Sequence, residues 1–177
     1  MHEVDVETTH RGRLFDVEVL TWTDPSGRQV RREVVRHPGA VLAVPLLSGD
    51  RVVMIRNYRV AVEEHLLELP AGALRPGEDP QRAAARELEE ETGYRPGRVR
   101  RLGEFFTSPG FADERMWAFV AEDLEFVGQR LEPGEQIEVQ IVEWAGVGAM
   151  IRDGRIRDGK TIAGLLMWQQ QRRDGTA

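Results

Sequence analysis

The chain has no cysteine in its 177 residues. Disulfides, thiol nucleophiles and thiolate metal sites are therefore excluded, and a reducing cytoplasm is the expected location. It also lacks any run of 18 apolar residues, so no transmembrane helix is expected and the membrane is not an expected partner. The opening Met1-His2-Glu3-Val4-Asp5 is acidic and has no apolar stretch, unlike a secretory signal. Positive charge is short as well: 24 Lys and Arg stand against 30 Asp and Glu, a formal net charge of −6. Non-specific nucleic-acid binding depends on an excess of basic side chains, so nucleic acid is not expected either. The four histidines, His2, His10, His37 and His65, are scattered without zinc-ligand spacing and are expected to be surface or packing residues. What is left open to an acidic protein is a phosphorylated small molecule. It can be held by local arginines, or by metal ions that turn carboxylates into a phosphate site.

What the chain does contain is ordinary for a globular protein. It is 41% apolar and 31% charged, and its length suits one domain with a real core. The first third reads as strands. Leu14 to Trp22 is rich in β-branched and aromatic residues, Asp24-Pro25-Ser26-Gly27 is a turn signal, and Gln29 to Arg36 resumes the strand, so 14–36 is expected to be a hairpin. Ala40 to Leu47 and Arg51 to Tyr58 read as strands joined at Ser48-Gly49-Asp50. Glu68-Leu69-Pro70-Ala71-Gly72 leads into a loop over Arg75 to Glu78. Asp79 as N-cap, Pro80 at the first helical position and Gly93 at the far end bracket a helix. Strands are predicted over about 98–106, 115–121 and 137–144, and helices over 145–151 and 161–171. Strands and helices are interspersed without a regular βαβ alternation, which predicts an α+β fold or a mixed sheet between helices.

The predicted helix at 80–92 carries the chemistry. Glu87, Glu90 and Glu91 lie at i, i+3 and i+4 and so share one face, with Glu89 pointing elsewhere. Like charges at that spacing destabilise a bare helix by roughly 0.2–0.5 kcal/mol per pair. Arg86, four residues before Glu90, relieves part of this. A hard divalent cation relieves more, because Mg2+ prefers carboxylate oxygens, water and phosphates. Pyrophosphate hydrolysis uses such a site. The metal neutralises phosphate charge and makes a water nucleophilic.

The spacing around these acids is specific. Gly72, then Glu78 after five residues, then Arg86-Glu87-Leu88-Glu89-Glu90-Glu91-Thr92-Gly93-Tyr94 after seven more resembles the Nudix box. Every fixed position matches, apart from Tyr94 where an aliphatic residue is more usual. The resemblance to the Nudix superfamily implies a mixed β-sheet sandwiched between α-helices and hydrolysis of a nucleoside diphosphate linked to another moiety. It also implies that Glu87, Glu90 and Glu91, with the backbone carbonyl of Ala71, bind Mg2+, for which Mn2+ can substitute. Glu78 and Arg86 would orient the glutamates.

Further stretches resemble the ADP-ribose pyrophosphatase group. Ser108-Pro109-Gly110-Phe111-Ala112-Asp113-Glu114 follows the box, with Pro109 sixteen residues after Gly93. The resemblance makes Pro109, Gly110 and Glu114 substrate-contacting, although a plain Pro-Gly turn is the structural alternative. Arg56-Asn57-Tyr58-Arg59 places Arg59 where related enzymes contact a substrate phosphate, a role suited to a guanidinium fork. Arg31-Arg32-Glu33-Val34-Val35-Arg36-His37-Pro38-Gly39-Ala40 resembles the entry to the Nudix domain. Glu33 would then hydrogen-bond adenine and Arg31 would lie beside the nucleotide, in its own or a partner's site. Glu132-Pro133-Gly134-Glu135-Gln136-Ile137-Glu138 resembles a loop that supplies a late catalytic acid. Glu135 is the first candidate and Glu132 the second, beside Glu90 in the box. The resemblance further implies a division into an N-terminal β subdomain, 1–36, and a hydrolase domain, 37–177. The subdomain, an antiparallel sheet, would be exchanged in a homodimer, with Trp22 in the interface. The activity implied is hydrolysis of ADP-ribose to AMP and ribose 5-phosphate. The rival readings are a hydrolase of another nucleoside diphosphate sugar such as GDP-mannose, or a non-catalytic ADP-ribose sensor.

If the box is a metal site, Glu91→Gln removes most turnover and leaves the fold intact. Circular dichroism and a product assay on the variant check this, and near-normal turnover would rule the metal-site reading out.

Overall fold

The computed structural model describes residues 3–134 and 136–175. Three strands, β1 (Val4–Arg11), β2 (Asp16–Thr23) and β3 (Gln29–Arg36), form an antiparallel sheet in that order. The β2–β3 hairpin is the expected one. Its turn is organised by Asp24, whose Oδ1 accepts from the backbone N–H groups of Ser26 at 2.9 Å and Arg28 at 3.0 Å. The resemblance implied an antiparallel sheet within 1–36, although β1 itself was not placed from its own residues. All eight of its residues are exposed, so no buried face imposes a clear apolar pattern on it.

The second sheet is built on β4 (Ala40–Leu47), with β5 (Arg51–Arg59), β6 (Glu64–Glu68), β7 (Ala71–Ala73), β8 (Tyr94–Phe106), β9 (Arg115–Phe126) and β10 (Ile137–Glu143). The order is β10-β5-β4-β9-β8, with β6 added to β5 and β7 to β4. β4 runs parallel to β9, from Ala40↔Met116 to Pro45↔Ala121. The other pairings are antiparallel, so the sheet is mixed. β6 and β7 also went unread. They are short and sit on one sheet because β5 and β4 offer them free edges, with pairs such as Tyr58↔His65 and Leu42↔Ala71. Nothing in their own five or three residues marks a strand.

Three helices, α1 (Pro80–Thr92), α2 (Trp144–Arg152) and α3 (Gly159–Arg173), cover the sheet. Alternate residues of β4 face opposite ways, as a strand requires. Leu42 and Val44 join Met54, Leu69, Val147, Ile156, Leu165 and Trp168 in the core beneath α2 and α3. Val41 packs with Ala83, Ala84 and Phe119, and Ala43 with Leu88 and Ala121, beneath α1. A strand buried on both faces reads as a continuous apolar run and not as an alternation, which is why Ala40–Leu47 is apolar throughout. The expected mixed sheet between helices is therefore what the sequence forms.

The two sheets meet at one seam. Val35 of β3 donates its N–H to Phe111 O at 2.8 Å and accepts from Asp113 N at 3.1 Å. Asp113 also accepts from Arg36 Nη1 at 3.1 Å and from His37 N at 2.8 Å. The Pro109 stretch and the end of β3 thus form one unit beside the N-terminus of β4.

Candidate active site

The acids are delivered by α1. Asp79 caps it by accepting from Arg82 N at 3.0 Å, and Pro80 opens it. Gly93 closes it at φ 77°, donating to Glu89 O at 2.9 Å. A left-handed backbone suits glycine there, and a Cβ would also meet Gln129 N at 2.7 Å. With Ala83, Ala84 and Leu88 buried against the sheet, α1 presents Glu87, Glu90 and Glu91 on another face. Glu89 points away from them, paired with Arg95 at 2.8 Å and with Arg130.

Arg86 binds three of the box acids at once. Its Nε and Nη2 donate to the two oxygens of Glu78, each at 2.8 Å. Its Nη1 donates to Glu87 at 2.7 Å and to Glu90 at 3.1 Å. Glu78 in turn accepts from Arg75 N at 3.0 Å. The hydrogen bonds from Arg86 hold the Glu78 carboxyl at about 2, against an ordinary 4.5. The same partners push the Arg86 guanidinium further into its charged form, led by Glu78. Glu91 is 4% exposed, and Ala71 N donates to it at 2.9 Å. This bond fastens the helix to β7 next to the Ala71 carbonyl.

Gly72 acquires a steric reason that its sequence alone could not supply. A Cβ at this position would lie 2.1 Å from the carboxyl carbon of Glu87. The strand can pass the carboxylate only because no side chain intervenes. By donor type, Glu87, Glu90, Glu91 and the Ala71 carbonyl suit a hard divalent cation. Among the described residues no three acidic or histidine side chains converge on one point. Glu87 and Glu90 are turned onto Arg86 and Glu91 onto the Ala71 N–H.

A cavity of about 670 Å3 adjoins this loop, lined by His37, Arg59, Ala71, Gly72, Glu114 and Lys160 among others. That size is in the range of small-ligand sites, roughly 300–1,000 Å3. Arg59 does not stand free in it. Its Nε and Nη2 donate to Glu68 at 2.8 and 2.7 Å, and Lys160 Nζ donates to the same carboxylate at 2.5 Å. Glu114 accepts from Thr107 Oγ1 at 2.6 Å.

Of the residues named from sequence, Arg59, Glu114 and Ala71 therefore share one cavity. Pro109 and Gly110 do not line it. They form the exposed turn closed by Phe111 N and Ala112 N on Ser108 O, at 3.1 and 2.9 Å. Arg31 and Glu33 lie on β3, exposed and 3.9 Å from each other, outside the cavity of this chain. Trp22 is half-buried in β2 between Val4 and Val30. Glu132 is exposed, in a loop tied to the end of α1 by Gln129 Nε2 on Glu91 O at 2.6 Å and Arg130 N on Glu90 O at 2.9 Å. Glu135 lies outside the described residues. His37, expected to be a surface or packing residue, accepts from Gly39 N at 3.0 Å in the cavity wall, whereas Lys160 and Glu68 were not expected at the site. Only Lys160 had a signal, in Asp158-Gly159-Lys160-Thr161 at a helix start.

The NUDIX domain model matches residues 36–165, and the chain belongs to that family. Among its relatives is an ADP-ribose pyrophosphatase of Bacillus subtilis (strain 168), 36% identical over 165 residues, 92% of this chain and 89% of the relative. The methanol dehydrogenase activator of Bacillus methanolicus is 38% identical over 170 residues, 95% of this chain and 92% of that one. A crystal structure of an ADP compounds hydrolase superposes with a TM-score of 0.84 at 27% identity, covering 99% of this chain and 97% of that one.

The Glu78–Arg86 pair has a pH signature. A depressed carboxylate pKa contributes stability above its unfolded value, and the contribution is lost as pH falls through the folded one. For Glu78 that window runs from 4.5 down to about 2. Urea unfolding across this range is expected to give Glu78→Gln a flatter loss of stability than the parent chain. Parallel curves would show that the pair carries no such linkage.

Proposed function

We propose that the chain hydrolyses the pyrophosphate bond of ADP-ribose to AMP and ribose 5-phosphate, with Mg2+ as cofactor. The observation that carries this reading is the junction at Gly72. The glycine lies against the Glu87 carboxylate on one side and lines the cavity holding Arg59 and Lys160 on the other. Acids suited to a metal and cations suited to phosphate thus adjoin the same strand. The similarity to enzymes acting on ADP compounds supports the choice of substrate.

Glu87, Glu90, Glu91 and the Ala71 carbonyl would hold the cation. When bound, Mg2+ neutralises phosphate charge and lowers the pKa of a coordinated water. The chain's own residues do the rest. Arg86 keeps Glu87 and Glu90 together on one side of the helix, and Glu78 fixes Arg86. Arg59 and Lys160 donate hydrogen bonds to phosphate oxygens, charge-assisted and so stronger than neutral ones. Glu114 orients the sugar through its free lone pairs. The proton of the attacking water passes to a carboxylate, with Glu90, Glu132 and Glu135 as the candidates. Pro109 and Gly110 shape the turn that presents Glu114, while Arg31 and Glu33 read the adenosine end from β3.

We infer in addition that residues 1–36 form a subdomain through which two chains associate. Val4 and Val6 are 46% and 56% exposed on β1, Leu14 is exposed at the cavity, and Phe15 next to it is exposed as well. A second chain laid on this sheet would cover them and bring Arg31 and Glu33 to a neighbouring site. No described helix is long and apolar enough to cross a membrane.

Incubating the protein with Mg2+ and a panel of ADP-ribose, GDP-mannose, NADH, Ap4A and 8-oxo-dGTP tests the activity. ADP-ribose is expected to turn over fastest, yielding AMP and ribose 5-phosphate. Preferred cleavage of GDP-mannose would transfer the assignment to that substrate, and ADP-ribose binding without turnover would favour the sensor. Light scattering on the same preparation should give about twice the 20.1 kDa chain mass, and the mass of one chain would sink the dimer.

A further inference from the structure

The most deeply buried ion of the described chain is not in the metal box. Glu68, at the end of β6, is 0% exposed. It accepts from Arg59 through two hydrogen bonds of 2.8 and 2.7 Å, and from Lys160 Nζ at 2.5 Å. Lys160 also meets Asp158 at 2.9 Å. Asp158 is fixed in turn as the N-cap of α3, accepting from Thr161 N at 2.9 Å. The Thr161 hydroxyl accepts from Leu69 N at 2.9 Å, so the end of β6 and the start of α3 are joined around the cluster. Arg59 and Lys160 line the cavity; Glu68 lies behind them and does not.

Stability alone is a poor reason for this carboxylate. Desolvating an ion costs more than a single contact returns, and apolar replacements of buried ion pairs are often neutral or stabilising. What the carboxylate does achieve is orientation. Arg59 and Lys160 have long side chains with many rotamers, and each would lose freedom on meeting a ligand. Anchored on one buried carboxylate, both are held before a ligand arrives. Their donors are not used up. A guanidinium has five N–H groups and an ammonium three. Glu68 takes two from Arg59, and Glu68 with Asp158 takes two from Lys160. Three donors therefore remain on Arg59 and one on Lys160. Glu68 and Asp158 face the two cations, and Glu91 of α1 also acts on Arg59, so the cluster offers directed donors in place of a strong positive field.

We propose that Glu68 is a positioning residue that holds Arg59 and Lys160 as one rigid donor wall for the phosphates of a nucleoside diphosphate. The inference rests on the pyrophosphatase reading for its substrate, and binding of ADP separates the two. In Glu68→Gln, the dissociation constant for ADP and the KM for ADP-ribose are each expected to rise about tenfold, the scale of one strong hydrogen bond. KM should rise more than kcat falls, because the wall binds ground state and transition state alike. Lys160→Met should weaken ADP binding in the parent chain and add less in the Glu68→Gln background, the sign of coupled residues. Glu68→Asp keeps the charge but withdraws it by one methylene, and should fall between the two. A lower melting temperature with ADP affinity and KM unchanged would mean that Glu68 is merely structural, and would overturn the proposal. If Glu68→Gln does not fold, unchanged ADP affinity and KM in Lys160→Met overturn it equally. Should the parent chain bind ADP but hydrolyse no member of the panel, the function reading fails while the ADP titrations still decide on Glu68. A parent chain that does not bind ADP would end both.

Discussion

The site depends on one guanidinium placed among three carboxylates. Arg86 donates to Glu78, Glu87 and Glu90. Without it, acids one helical turn apart would repel each other on a face that packs close to the strand at Gly72. A lysine could not replace it. Two donors lie parallel on the Glu78 carboxylate while a third nitrogen reaches forward along the helix to Glu87 and Glu90, which needs a planar fork. The arginine thus fixes a cluster of negative charge in place, and a cation with oxygen ligands is the natural complement to it.

The rest of the fold gives that cluster a fixed surface to stand on. β4 is buried on both faces and has small residues, Val41 and Ala43, toward α1, met by Ala83 and Ala84 on the helix. Small residues on both sides let the helix lie near the sheet. Glu91 can then take the Ala71 N–H, and Glu87 can fill the space that Gly72 leaves. On the opposite face α3 meets the end of β6 through Thr161 and Leu69, which sets Lys160 beside Arg59. The two helices on opposite faces therefore flank one cavity, α3 with a cation in its wall and α1 with Glu87 behind Gly72, which lines it.

The legibility of the site in the sequence follows the range of the contacts. Helix caps, the shared face of Glu87, Glu90 and Glu91, and the outward turn of Glu89 are settled within a few residues, and they were readable. Gly72, Glu78 and Arg86 rested mainly on the resemblance, because beyond the Arg86–Glu90 pair their reasons are contacts across eight to fifteen positions. The grouping of Arg59 with Glu68 and Lys160 spans up to 92 positions for one hydrogen bond. A single glutamate at a strand end carries no periodic or spacing signal, so its burial could not be foreseen.

The sequence by itself determined the chemistry: a helix with three acids on one face, capped at both ends, in a spacing that belongs to the Nudix family. It also determined the central strands, whose unbroken apolar runs require burial on both sides. Tertiary structure alone decided the surroundings of that helix. It put β7 against β4 so that Gly72 meets Glu87, added β1 and β6 at edges where pairing outweighs weak propensity, and seated Glu68 out of water behind two cations. The reason is physical. A periodic pattern records which side of an element is buried, whereas an ion pair between distant elements exists only once packing has brought both partners to the same place.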